Sequence, residues 1–152
     1  IMPSNDMGSW KMEIRVHNHH TEKEGTASLD IIVANPSVTQ IKSFVTGSDE
    51  KMFVSYTFPE DKKVGVNDFE VIVYQMVSGM EFAPIQDYTI QLEPEMPSME
   101  HGSPNNVDPV HDADGRYMGK VNFTMTGDWR LNLTLNRADD ATQSLFFDVT
   151  LD

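Results

Sequence analysis

Two thioethers and an imidazole lie close together at Met96, Met99 and His101, and a second imidazole follows at His111. Thioether sulfur is a soft donor suited to Cu(I), and imidazole suits copper, zinc and nickel. The Met-x-x-Met-x-His run therefore carries the donors for a soft metal ion, with copper the expected metal and His111 the candidate fourth ligand. Pro97 stiffens the run, which lowers the entropy lost when a site forms. Glu95, Glu100, Asp108 and Asp112 flank it and would either favour a cation or keep the segment soluble. A competing reading is purely structural. The chain has 10 methionines, and methionine fills gaps beneath loops well, so the run could be a packed loop cap.

Other chemistry finds less support. His17-Asn18-His19-His20, followed by Glu22 and Glu24, could hold a metal adventitiously, but it reads better as a polar hairpin tip. No nucleophile elbow, phosphate-binding loop or His-Glu-x-x-His motif occurs, so we do not expect an enzyme. There are no cysteines, which removes disulfides, thiolate metal sites and thiol nucleophiles. The formal net charge of −13 argues against a nucleic-acid partner, because a phosphate backbone needs a basic footprint. No apolar run is long enough to cross a bilayer as a helix.

The elements that must position these residues show strand periodicity. Met12, Ile14 and Val16 alternate with polar residues, as do Leu131, Leu133 and Leu135, and period-two patterning marks half-buried strands. Further strands are expected near 28–34, 40–46, 51–58, 67–76, 85–93, 116–125 and 143–151, separated by Gly-, Pro- and Asp-rich turns. No segment carries a helical period over three turns. The expected fold is an all-β, immunoglobulin-like antiparallel sandwich. Segment 94–115, rich in Pro and Gly and without periodicity, reads as a long loop between two strands.

One motif occurs twice. Gly8-Ser9-Trp10-Lys11-Met12-Glu13-Ile14 matches Gly127-Asp128-Trp129-Arg130-Leu131-Asn132-Leu133, and Thr26-Ala27-Ser28-Leu29-Asp30-Ile31 matches Thr142-Gln143-Ser144-Leu145-Phe146-Phe147. An internal repeat sets the domain organisation. We expect 1–35 to be the closing strand pair of a preceding related domain and 38–152 to be a complete one, with Asn35-Pro36-Ser37 as linker. Any export signal or lipid anchor would then lie upstream of Ile1. Two strands alone are marginal in water, so their apolar face should be covered, either by the complete domain or in a homodimer formed by strand exchange.

Several motifs in order carry a family resemblance. They are Val64-Gly65-Val66-Asn67, Met96-Pro97-Ser98-Met99-Glu100-His101-Gly102, Gly115-Arg116-Tyr117, and Met125-Thr126-Gly127-Asp128-Trp129. This succession resembles the YtkA-like domain family, with its Gly-x-Asn opening, Met-Pro-x-Met-x-His loop, Gly-x-Tyr step and Met-x-Gly-x-Trp strand entry. It covers roughly 64–136, and Met2-Pro3 ahead of Trp10 resembles the same strand entry with extra residues inserted. The resemblance implies an immunoglobulin-like sandwich in the bacterial cell envelope, exported and periplasmic or lipid-anchored, associated with heavy metals and copper especially. It implies Met96, Met99 and His101 as ligands of a copper ion and another envelope protein as a partner. Glu100 stands where the family often has a small residue. The alternative is a structural or protein-interaction module of the same fold with no metal site.

Overall fold

Alternating apolar residues form strands throughout the described residues, and no helix occurs among them. The structure is a computed structural model that describes residues 8–33, 39–79, 81–138 and 140–152. The linker Asn35-Pro36-Ser37 and the Met2-Pro3 match lie outside the described residues. Twelve antiparallel strands follow in chain order: β1 (Gly8–Asn18), β2 (Lys23–Val33), β3 (Ile41–Val45), β4 (Lys51–Thr57), β5 (Gly65–Ser78), β6 (Glu81–Pro84), β7 (Thr89–Met96), β8 (His101–Gly102), β9 (Val107–Ala113), β10 (Arg116–Phe123), β11 (Gly127–Asn136) and β12 (Gln143–Leu151). They divide between two units, Ile1–Ser37 and Val38–Asp152.

The described residues of the first unit form a hairpin, β1 with β2. Its register sets Trp10 opposite Ile31, Met12 opposite Leu29 and Ile14 opposite Ala27, so one face is apolar. The other face carries Lys11, Glu13 and Arg15 opposite Asp30, Ser28 and Thr26. Asn18 organises the turn: its Oδ1 accepts the N–H groups of His20 and Thr21 at 2.9 and 3.1 Å, the local bonding that makes Asn a turn residue.

The second unit is the β-sandwich. One sheet runs in the order β3-β4-β5-β10-β9, with β6 also paired to β5, and the other runs β12-β11-β7-β8. Inward-facing Val54, Phe69, Val71 and Phe123 of the first meet Leu92, Leu131, Leu133 and Phe147 of the second, all buried. Polar ties join the two sheets at their margins. The Tyr117 hydroxyl donates to the Ile85 carbonyl at 2.9 Å and accepts the Tyr88 N–H at 3.2 Å. The Asp108 carboxylate accepts the Leu92 N–H at 2.8 Å.

The structure corrects the reading of 94–115 as one long loop. β7 extends to Met96, β8 follows at once, and β9 occupies Val107–Ala113. β9 hides its periodicity because it is an edge strand, and Pro109 inside it supplies no ladder N–H. Proline is tolerated at an edge. Pro109 falls where the β9–β10 register shifts between Met118 and Lys120. The expected strand at 85–93 begins later, at Thr89, and runs to Met96 as β7, while the short β6 before it belongs to the other sheet.

Candidate metal centre

β7 ends at Met96, and residues 97–100 turn the chain straight back into β8. The Met99 N–H donates to the Met96 carbonyl at 3.0 Å, and Glu100 takes a left-handed φ of 54°. A tight turn followed by a left-handed residue is a common hairpin closure. It places Met96 directly opposite His101. Opposed residues project to the same face with Cβ atoms about 4.5–5.5 Å apart. That face is the sandwich interior, and Met96 is 3% exposed there.

The row continues onto β11. Arg130 pairs with Glu95, so one step further along both strands Trp129 lines up with Met96. Trp129, Met96 and His101 thus form a row across three neighbouring strands at one end of the sandwich. The imidazole of His101 meets the indole of Trp129 edge to face, with centroids 6.1 Å apart and planes at 77°. Trp129 is fixed from behind. Its Nε1–H donates to the Met125 carbonyl at 3.1 Å, which satisfies a buried indole, and its ring packs on Phe123 at 5.4 Å. Gly127 explains the glycine before this tryptophan: its φ is +122°, and a Cβ there would meet the Met96 methyl at 3.1 Å.

His101 is held in one tautomer. Its Nδ1 lies 2.9 Å from the Gly102 carbonyl oxygen. A carbonyl only accepts, so Nδ1 is the donor of this contact, and in the neutral ring Nε2 is the nitrogen left with a lone pair. A ring N–H donated to a backbone carbonyl is the usual orienting contact of a metal-binding histidine. On neighbouring strands Glu95 and Asp128 alternate to the face opposite Met96 and Trp129, and Asp128 is engaged by the Thr150 hydroxyl at 2.8 Å.

The other expected ligands are placed differently. Met99 sits on the turn tip, 55% exposed, so the two thioethers of the loop do not converge. His111 lies on β9 opposite Tyr117, its ring edge to face with that phenol at 5.4 Å and its Nε2 buried without a hydrogen-bond partner. Tyr117 precedes Phe123 by six residues of β10, roughly 20 Å of strand, and Phe123 is the ring touching Trp129. His111 is therefore not brought together with Met96 and His101, because β9 carries it to the far end of the sandwich. The signal for Trp129 was present in the Met-x-Gly-x-Trp spacing, but that spacing alone indicates only a strand entry.

At the first hairpin tip, His17 lies 3.5 Å from Glu22 and 3.4 Å from Glu24, with the His19 ring at 4.7 Å. These groups are solvated, as a polar tip should be. Among the described residues, no set of three or more His, Asp and Glu side chains is arranged to hold a metal ion.

A family model described as YtkA-like matches residues 50–134, a span that takes in β5, the Met96–His101 hairpin, β9, β10 and most of β11. No curated protein and no solved structure matches the chain.

Proposed function

The chain belongs to the YtkA-like family, and from that footing we propose that it is a non-enzymatic cell-envelope protein that binds a soft metal ion, copper above all, at the Met96–His101 hairpin. The observation that carries this reading is the free Nε2 of His101, presented on the same face as the Met96 thioether while Nδ1 is spent on the Gly102 carbonyl. Imidazole and thioether together suit Cu(I). Met99, on the exposed tip, meets the ion first. The ion is cargo that is held and passed on. A chain without cysteine that relies on thioether and imidazole donors suits an exported setting in which thiols would oxidise.

A second reading has its own observations. Met96 packs against Gly127 as a core residue would, and the β1–β2 hairpin exposes Trp10, Met12 and Leu29. Apolar patches of that kind mark interaction surfaces. On this reading the chain is an immunoglobulin-like docking module without a metal.

Anaerobic Cu(I) titration in competition with a colorimetric chelator separates the two. The triple variant Met96→Leu/Met99→Leu/His101→Gln keeps the core apolar. It should lose about a hundredfold or more in affinity, the scale expected when both donor types go. Equal affinity in the two proteins would remove the metal reading and leave the module.

A further inference from the structure

Resting on the metal-binding reading, we propose that Trp129 is a direct part of the site, its indole π-face in contact with the bound ion, and that the site thereby selects soft monovalent cations, Cu(I) or Ag(I), over divalent ones.

Three features of the geometry combine. First, Trp129, Met96 and His101 share one row across β11, β7 and β8. An ion held by His101 Nε2 and the Met96 thioether would have the indole beside it. The two rings already stand 6.1 Å apart, edge to face, and a cation is attracted to an indole face within about 6 Å. Second, Trp129 is 1% exposed, so water does not compete at that face, and cation–π attraction is strongest when desolvated. Third, every donor in the row is neutral. Glu95 and Asp128 alternate to the opposite face, and Asp128 is already engaged by Thr150. A divalent ion in this row would keep most of its charge uncompensated in a poorly solvated place, which is costly. A monovalent soft ion has half that charge, and thioether, imidazole and indole electron density suit it.

The test uses the full chain carrying Trp10→Phe, which leaves Trp129 as the single tryptophan. Ag(I) is titrated anaerobically, with calorimetry, indole fluorescence and the near-ultraviolet difference spectrum read together. Ag(I) should bind, quench Trp129 and perturb the indole absorption band, while Zn(II) at the same concentration should neither bind tightly nor displace it. The additional change Trp129→Phe keeps an aromatic core but weakens the π-face. It should lower Ag(I) affinity about threefold or more, with far-ultraviolet circular dichroism unchanged. If Ag(I) binds with the same affinity in both proteins and leaves the indole band unperturbed, Trp129 is not in the site, although the metal reading stands. If Ag(I) and Cu(I) fail to bind at all, the metal reading itself falls. Zn(II) displacing Ag(I) overturns the claimed selectivity. Should Trp129→Phe not fold, the indole band of the Trp10→Phe protein decides alone: a perturbation on Ag(I) binding supports the contact, and its absence overturns it.

Discussion

The β1–β2 and β11–β12 hairpins carry similar sequence motifs around a tryptophan, yet their tryptophans end in opposite environments. Trp10 is 45% exposed and Trp129 is 1% exposed. Both pairs are antiparallel with the same alternation, and both gather their apolar residues on one face. The registers differ by two residues: Leu29 stands opposite Met12, whereas its sequence counterpart Leu145 stands opposite Leu133, two residues further from the tryptophan on the equivalent strand. A shift of two residues keeps every side chain on its face, so the apolar face survives it. What separates the hairpins is the rest of the second unit. β11 is paired on its other edge by β7, and Tyr56, Phe69 and Phe123 of the opposing sheet close over its face. The alternating motif specifies a strand pair with an apolar face, and the residues opposite decide whether that face becomes a core.

The sharpest way to break this comparison is to truncate the two tryptophans in turn. Trp129→Ala removes a fully buried indole, leaves the Met125 carbonyl without its donor and opens a cavity beside Phe123. It should cost about 3–5 kcal/mol, enough to threaten a domain whose whole stability is on the order of 5–15 kcal/mol. Trp10→Ala, at a residue 45% exposed, should shift the urea transition by a far smaller amount. A large shift of that transition by Trp10→Ala would mean that the two faces are energetically alike after all.

The strand pattern was legible because each half-buried strand writes its period into the sequence. Met12, Ile14 and Val16, and likewise Leu131, Leu133 and Leu135, could be assigned to faces without coordinates. β9 was not legible, because an edge strand carrying Pro109, with Val110 facing solvent, has little periodicity to show. The Met96–His101 pairing follows from a short turn and was within reach of spacing alone. The distance of His111 was not, since it depends on β9 pairing with β10 and running away from the hairpin. Trp129 beside Met96 depends on β11 being the neighbour of β7, a contact between distant parts of the chain.

A smaller contrast lies in the glycines. Gly127 has a φ of +122°, and a Cβ would meet the Met96 methyl at 3.1 Å, whereas nothing lies within 4 Å of the Cβ position of Gly25 on β2. Gly127→Ala combines backbone strain with that contact and should cost on the order of 1–3 kcal/mol. Gly25→Ala restricts the unfolded chain at an unstrained position and should stabilise the first hairpin by about 0.4–1 kcal/mol. Thermal melts followed by hydrogen exchange would resolve both. A neutral Gly127→Ala would show that Met96 is free to move away, which would also loosen the proposed site.

Alkaline pH separates the units by a different route. All the tyrosines of the chain, at 56, 74, 88 and 117, lie in the second unit and none in the first hairpin. Burial pushes the phenols of Tyr56, Tyr88 and Tyr117 above their ordinary value of 10.0. Burial is the leading cause in each, because it disfavours the phenolate. Below about pH 9 these groups hold their protons in both folded and unfolded chains, and their full contribution is present. As pH climbs past that point the unfolded chain loses protons first, so the folded state binds more and stability falls with rising pH. The loss continues until the raised folded values are passed. The urea midpoint of the sandwich should therefore hold steady from neutrality to about pH 9 and then decline. Tyr117→Phe should make the decline shallower while lowering the plateau, since it also removes the hydroxyl bridge between Ile85 and Tyr88. Phenolate absorbance that develops fully before any unfolding would show that these hydroxyls are solvated and that the sandwich interior is more open than its burial implies.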